Sequence, residues 1–241
     1  MPLADDIVSW IRTTVHDAGA TGVVIGLSGG IDSSLVAALA ARALPGNVLG
    51  AMLPCESAPQ DAEDARLVAT AFRVETLEID LTAVYRALVA ALPEAPRLVR
   101  SNIKPRLRMT ALYYLAASRH YLVCGASNRS ELAIGYFTKF GDGGVDMMPI
   151  GGLLKGEVVA LAKQLGVPQR IIDRPPTAGL WPGQTDEGEM GLRYADLDAA
   201  LVALASNQMS GVSPQVRARV CGLMGNSAHK RALPPVFIPT H

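Results

Sequence analysis

The stretch Gly26-Leu27-Ser28-Gly29-Gly30-Ile31-Asp32-Ser33-Ser34 puts three glycines, three hydroxyls and a carboxylate into nine consecutive residues. Glycines let a backbone turn tightly and approach an anion, and serines add hydroxyl donors. The apolar run Val23-Val24-Ile25 comes before it and Leu35-Val36-Ala37-Ala38-Leu39-Ala40 after it, so the pattern reads strand, loop, helix. A helix entered this way offers free N–H groups and its positive dipole end, which makes a polyphosphate the natural guest. A plain glycine turn would need neither Asp32 nor three serines in the same few positions.

The elements that must hold this loop follow from periodicity and punctuation. Ile7, Trp10, Ile11 and Val15 form one stripe of a helix over residues 5–18. A helix over 33–44, a turn at Pro45-Gly46-Asn47 and a strand over 48–53 complete a βαβ unit, so these strands are expected parallel. Beyond it the pattern predicts a helix over 61–72, a strand over 74–79, a helix over 81–92 and a loop over 93–100. A helix over 106–119 then leads to a buried strand over 121–124 and a polar turn over 125–130. Alternating strands and helices define an α/β chain with a doubly wound parallel sheet and flanking helices, whose ligands sit beyond the carboxyl ends of the strands. The turns after Leu27 and Cys124 then open onto one crevice. Residues 135–154 are glycine-rich and too long for an ordinary connection, which suits a cover over a ligand. Helices are expected over 155–165, 193–205 and 214–224, with an irregular segment over 170–191 and a Ser213-Pro214 helix start.

With 241 residues, 49% of them hydrophobic, the chain suits a single domain over 1–241. A formal net charge of zero provides no overall field for nucleic acid or an anionic membrane, and neither is expected as a partner. Cys55, Cys124 and Cys221 lie far apart with no CxxC spacing, which excludes a disulfide framework or zinc cluster and fits a reducing compartment. Each is expected to be a small buried side chain. Asp5 and Asp6 stand where a signal peptide carries basic residues, and no apolar run approaches the ~20 residues of a membrane span, so a cytoplasmic protein is expected.

Ser28-Gly29-Gly30-Ile31-Asp32-Ser33 resembles the PP-loop of the ATP pyrophosphatases, which have an adenine nucleotide alpha hydrolase-like fold. Those enzymes split ATP between its α and β phosphates and leave AMP on a substrate oxygen. Asn102–Met109, Ser127–Glu131, Gly135–Gly143, Gln184–Glu187 and His229-Lys230-Arg231 follow in an order similar to that of NAD synthetases, and the resemblance covers nearly the whole chain. It implies conversion of deamido-NAD (nicotinic acid adenine dinucleotide) to NAD: ATP adenylates the nicotinate carboxylate, pyrophosphate leaves, and ammonia displaces AMP. Matched residue by residue, it implies that Gly26, Leu27, Ser28, Gly29, Gly30, Ile31, Asp32 and Ser33 hold the ATP phosphates, with Lys155, Thr177 and position 126 also on ATP. Asp32 and Glu131 match Mg²⁺ ligands, and Asp32 and Lys155 are the catalytic pair. Arg106, Lys139, Asp146, His229 and Lys230 match contacts to the dinucleotide, and Arg106 is preferred over Arg108 because the two point in different directions.

Several readings stand beside these roles. Ala126 departs from the family's usual threonine and removes a hydroxyl near ATP. Asp32 could be a helix N-cap, Glu131 a first-turn acid, Lys155 a solvated lysine and Asp146 a loop cap. The family implies a homodimer, and the first nucleotide strand begins near residue 22, leaving no room for a preceding nitrilase-like glutaminase domain. Ammonia is therefore the expected nitrogen donor, with a separate glutaminase subunit as a further expectation. The rival classes are another PP-loop enzyme, such as a tRNA thiolase or other amide ligase, and an inactive nucleotide-binding module. A Walker-type kinase is excluded, because the chain contains no Gly-Lys-Ser/Thr.

Overall fold

The computed structural model describes residues 2–239. α1 (Pro2–Asp17) leads into β1 (Gly22–Gly26), α2 (Ile31–Ala43) and β2 (Val48–Met52). α3 (Pro59–Phe72), β3 (Glu75–Glu78), α4 (Thr82–Ala91), α5 (Arg97–Ser101), α6 (Ile103–Arg119) and β4 (Tyr121–Cys124) follow. The remainder is helical: α7 (Arg129–Ile134), α8 (Lys155–Gln164), α9 (Gln169–Ile172), α10 (Asp186–Met190), α11 (Tyr194–Ala205) and α12 (Pro214–Asn226).

The strands form one parallel sheet in the order β3-β2-β1-β4, with Val23 opposite Val48 and Leu122. Alternation along β1 divides the core. Val23 and Ile25 face α1, α2, α3 and α8, whereas Val24 faces α4 and α6 through Tyr85, Leu115 and Ala116. Both faces are covered, so β1 and β2 are almost continuously apolar, as the sequence pattern implies. A third cluster, built from Ile134, Met190, Tyr194, Leu197 and Val220, joins α7, α10, α11 and α12 beyond the sheet.

The strand expected over 74–79 is present as β3, an exposed edge strand: Glu75 pairs with Arg119 at 2.7 Å and Glu78 with Arg66 at 2.5 Å, and charge protects an open sheet edge. Four other expectations change. α6 starts at Ile103, because Pro105 falls in its first turn, where its missing N–H costs no helical bond. The segment over 93–100 contains the start of α5, and that over 170–191 contains the end of α9 and all of α10, the latter capped by Thr185 Oγ1 accepting from the Gly188 N–H. Cys55 and Cys124 are buried, but Cys221 is exposed on α12. Among the described residues, no helix is long and apolar enough to cross a membrane.

Candidate nucleotide site

The Leu27 N–H makes a sheet bond to Ala51 O (2.9 Å), after which the chain leaves β1. Gly29 has φ +77°, and a Cβ there would stand 2.7 Å from Asp61 O and from Asp64 Cβ, so only glycine lets this loop rest on α3. Ser33 Oγ and Ser34 Oγ donate to Gly30 O at 3.0 and 2.7 Å, and Ser28 Oγ lies 3.1 Å from Ser33 Oγ. Ser34 is buried, so its hydroxyl braces the helix start. Gly30 occupies the cap of α2 and no side chain caps it, so Asp32 is not an N-cap. Its carboxylate faces the end of β4.

Three charged groups meet there. Lys155 Nζ lies 2.5 Å from Asp32 Oδ2 and 3.6 Å from Glu131 Oε1, and its side chain is only 5% exposed. The dipole conflict expected of a lysine at a helix start is thus answered by two carboxylates in the ligand-free protein. Asn128 Nδ2 donates to Asp32 Oδ1 (2.9 Å), while Asn128 and Glu131 form a reciprocal capping box on α7. Glu131 therefore combines the first-turn role with a site role: Oε2 accepts from the Asn128 N–H at 3.3 Å, and Oε1 faces Lys155.

Residues outside the expected set hold this cluster. Tyr194 Oη lies 3.1 Å from Glu131 Oε1 and 3.0 Å from Asp186 Oδ2, and Tyr136 Oη lies 3.0 Å from Asp186 Oδ1. Asp198 accepts from Ser130 Oγ (2.5 Å) and the Gly156 N–H (2.9 Å), and Ser130 Oγ accepts from the Lys155 N–H (3.0 Å). The first turn of α8, which carries Lys155, is thereby fixed from α7 and α11.

The other expected residues fall into separate places. Lys139 Nζ donates to His229 O (2.6 Å), and Lys230 Nζ donates to Gly135 O and Phe137 O (2.9 Å each), so these residues form one group around the glycine-rich segment. That segment is pinned to the sheet through Met147, which bridges to Cys124. Asp146 accepts from Tyr113 Oη (2.9 Å) and the Val123 N–H (2.7 Å), ties that fit the loop-cap reading. Arg106 is exposed, its guanidinium donates to Asn102 O (3.4 Å) and its charge is felt at Lys230, and Ala126 packs against the core. Thr177 lies on a segment clamped to α3 by Arg174, which binds Asp64 Oδ2 at 3.0 Å and also Asp61. Asp64 is 1% exposed and sits directly against Gly29. Arg174→Ala is expected to cost about 2 kcal/mol in urea unfolding, because Arg170 and Gln60 still partner Asp64; an unchanged midpoint would show the clamp to be idle.

Burial, followed by the nearby Asp32, pushes the Glu131 carboxyl up to about 8. Asp186 is raised too, by burial. For Lys155, burial opposes the ammonium, but Asp32 and Glu131 outweigh it and hold the group above its ordinary value. The folded protein binds the Glu131 proton more tightly than the unfolded chain, so this contribution is complete below the ordinary glutamate range. It is lost as pH rises towards about 8. Ligand-free protein is therefore expected to unfold at lower urea at pH 8.5 than at pH 5.5, and Glu131→Gln to reduce that difference. An undiminished difference in the variant would assign it to other groups.

The loop feeding α2 and the charges facing it place the chain in the PP-loop class of adenine-nucleotide α/β proteins. The NAD synthase family profile matches residues 3–234, and the chain belongs to that family. It is 47% identical over 237 residues to the NH3-dependent NAD+ synthetase of Carboxydothermus hydrogenoformans, covering 96% of this chain and 95% of that protein. Its fold is similar to that of NMN synthetase from Francisella tularensis (TM-score 0.90, 37% identity, 98% of each chain). It is also similar to that of the NH3-dependent NAD synthetase from Campylobacter jejuni (TM-score 0.87, 31% identity, 98% of each chain).

Proposed function

We propose that this chain is a single-domain ammonia-dependent amide ligase that converts deamido-NAD to NAD at the expense of ATP. The observation that carries the reading is the Lys155 ammonium 2.5 Å from Asp32 beside a PP-loop, in a chain matched by the NAD synthase family almost end to end. A carboxylate is a poor electrophile because oxide would have to leave, so attaching AMP creates a leaving group. Two anions must first approach one another, and cations lower that barrier.

The residues divide this work. Gly26–Ser33 with Lys155, Thr177 and the backbone near Ala126 receive ATP. Arg106, Lys139, His229 and Lys230 receive the dinucleotide, with Asp146 fixing the edge of that site. Neither Lys139 nor Lys230 forms an ion pair among the described residues; both use backbone carbonyls, which leaves their charge for phosphate. When ATP binds, Lys155 exchanges carboxylate for phosphate oxygens. Asp32 and Glu131 suit Mg²⁺, which takes one or two carboxylates and completes its oxygen shell with phosphate and water. No cluster of three or more His, Cys, Asp or Glu forms a self-sufficient metal cage among the described residues, in keeping with a metal shared with substrate. When bound, Mg²⁺ would supply positive charge against the pyrophosphate that leaves.

The likeness to an NMN synthetase motivates a second reading, in which the acceptor is the mononucleotide. Comparing kcat/KM for deamido-NAD and nicotinate mononucleotide separates the two. A preference of about tenfold or more for the dinucleotide is expected, equivalent to ~1.4 kcal/mol of contact with its second half; the reverse preference would assign the mononucleotide. A homodimer is proposed, and the exposed apolar side chains Val84, Leu92, Leu98, Val99 and Tyr114, on and between α4 and α6, are candidates for its contact.

A further inference from the structure

Arg108 forms no ion pair among the described residues. It lies on α6 one turn before Leu112, whose Cδ1 would be 3.5 Å from a Cβ on Gly26 at the end of β1. Residues four apart share a helix face, and α6 runs from the carboxyl end of the sheet back towards the start of β4. Arg108 therefore lies at the carboxyl end of the sheet, partly buried beside the exit of β2, within electrostatic reach of Asp61, whose backbone oxygen packs against Gly29 of the phosphate loop. Its Nε donates to Leu53 O (3.0 Å) and its Nη2 to Ser57 Oγ (3.1 Å). Both acceptors are neutral. Asp61 and Asp142 act on it from a distance, and neither forms an ion pair with it.

The charge balance of the crevice gives this cation a purpose. Lys155 is already matched by Asp32 at 2.5 Å, with Glu131 beside it at 3.6 Å. A triphosphate therefore needs positive charge beyond Lys155, and a guanidinium held at two of its nitrogens is preorganised to meet a phosphate with the rest of its fork. We propose that Arg108 binds a phosphate of ATP at the mouth of the phosphate loop. The proposal rests on the ATP-dependent reading above and adds to it a residue whose charge serves ATP and not the second nucleotide.

Calorimetric titration of the full chain with α,β-methylene-ATP and Mg²⁺ tests it, using wild type, Arg108→Gln and Arg108→Lys, with deamido-NAD titrated in parallel. Arg108→Gln is expected to weaken the ATP analogue about tenfold or more, the usual range for a hydrogen bond to a charged group, while deamido-NAD affinity stays within twofold. Arg108→Lys keeps a charge but loses the fork. It is expected to weaken the analogue threefold or more, and it decides the question if the glutamine variant does not fold. Unchanged analogue affinity in a folded variant overturns the proposal, as does a loss confined to deamido-NAD. An equal loss for both ligands also overturns it, since that marks a general structural role. Wild-type protein that binds the analogue but forms no AMP with ammonium and deamido-NAD contradicts the proposed function and leaves the Arg108 comparison intact.

Discussion

Asp32→Asn is expected to lower the rate of AMP formation about a thousandfold at saturating Mg²⁺, with circular dichroism unchanged. The carboxamide keeps the volume of the side chain and can still meet Asn128, but it removes the charge that pairs with Lys155 and that would hold the metal. Asp32→Ala is expected to lose the same activity and some stability besides. It leaves Lys155, 5% exposed, with Glu131 at 3.6 Å as its remaining carboxylate. Breaking one side of a buried pair typically costs ~3–5 kcal/mol, and the 20% exposure of Asp32 puts this case near the low end. Quenched-flow measurement of AMP checks the rate, and a wild-type rate in Asp32→Asn would remove Asp32 from the reacting centre.

Lys155→Met is expected to reduce the same rate by about a hundredfold to a thousandfold, while Mg²⁺ still binds. Methionine fills the buried channel but leaves Asp32 and Glu131 as neighbouring carboxylates with no ammonium between them. Two like charges at close range favour keeping one proton, so Glu131 is expected to hold its proton more firmly in this variant. The split between metal binding and rate is diagnostic. A purely structural lysine would lower both through unfolding, whereas a cation that meets phosphate in the reaction lowers the rate alone. A variant rate within about fivefold of wild type would place the phosphate-facing charge elsewhere.

Local chemistry was the part of the site that the sequence made legible. The phosphate loop announces itself through glycine, serine and the switch from β to α periodicity, and the structure brings Asp32, Glu131 and Lys155 together around it. Asn128 had a readable signal as well: an Asn followed three residues later by Glu131 is a capping box, and that box is what aims the glutamate. Tyr194 and Asp198 were not legible, and Tyr136 and Asp186 stood in segments that carry the resemblance but had no role that spacing could assign. They reach the cluster from α10, α11 and the glycine-rich segment, and their meeting depends on tertiary packing that no spacing encodes. Arg174 was hidden for the same reason, because an arginine in an irregular segment reads as a surface residue until its neighbours are known, and Arg108 was visible in its motif but set aside for Arg106, since the helix pattern does not show which of the two faces the strand ends. β3 was readable as a strand, but its place at the sheet edge was not, because only the sheet order shows which strands lie outermost.

The most direct test of the central claim is amidation with ¹⁵N-ammonium. Purified protein, deamido-NAD, ATP and Mg²⁺ are incubated with labelled ammonium or with amide-labelled glutamine, and NAD, AMP and pyrophosphate are quantified together. The predicted result is ¹⁵N in the carboxamide of NAD from ammonium alone, with one AMP and one pyrophosphate per NAD. AMP without labelled NAD would mean that another acceptor takes the adenylate, and ADP with phosphate, or no turnover at all, would contradict the account.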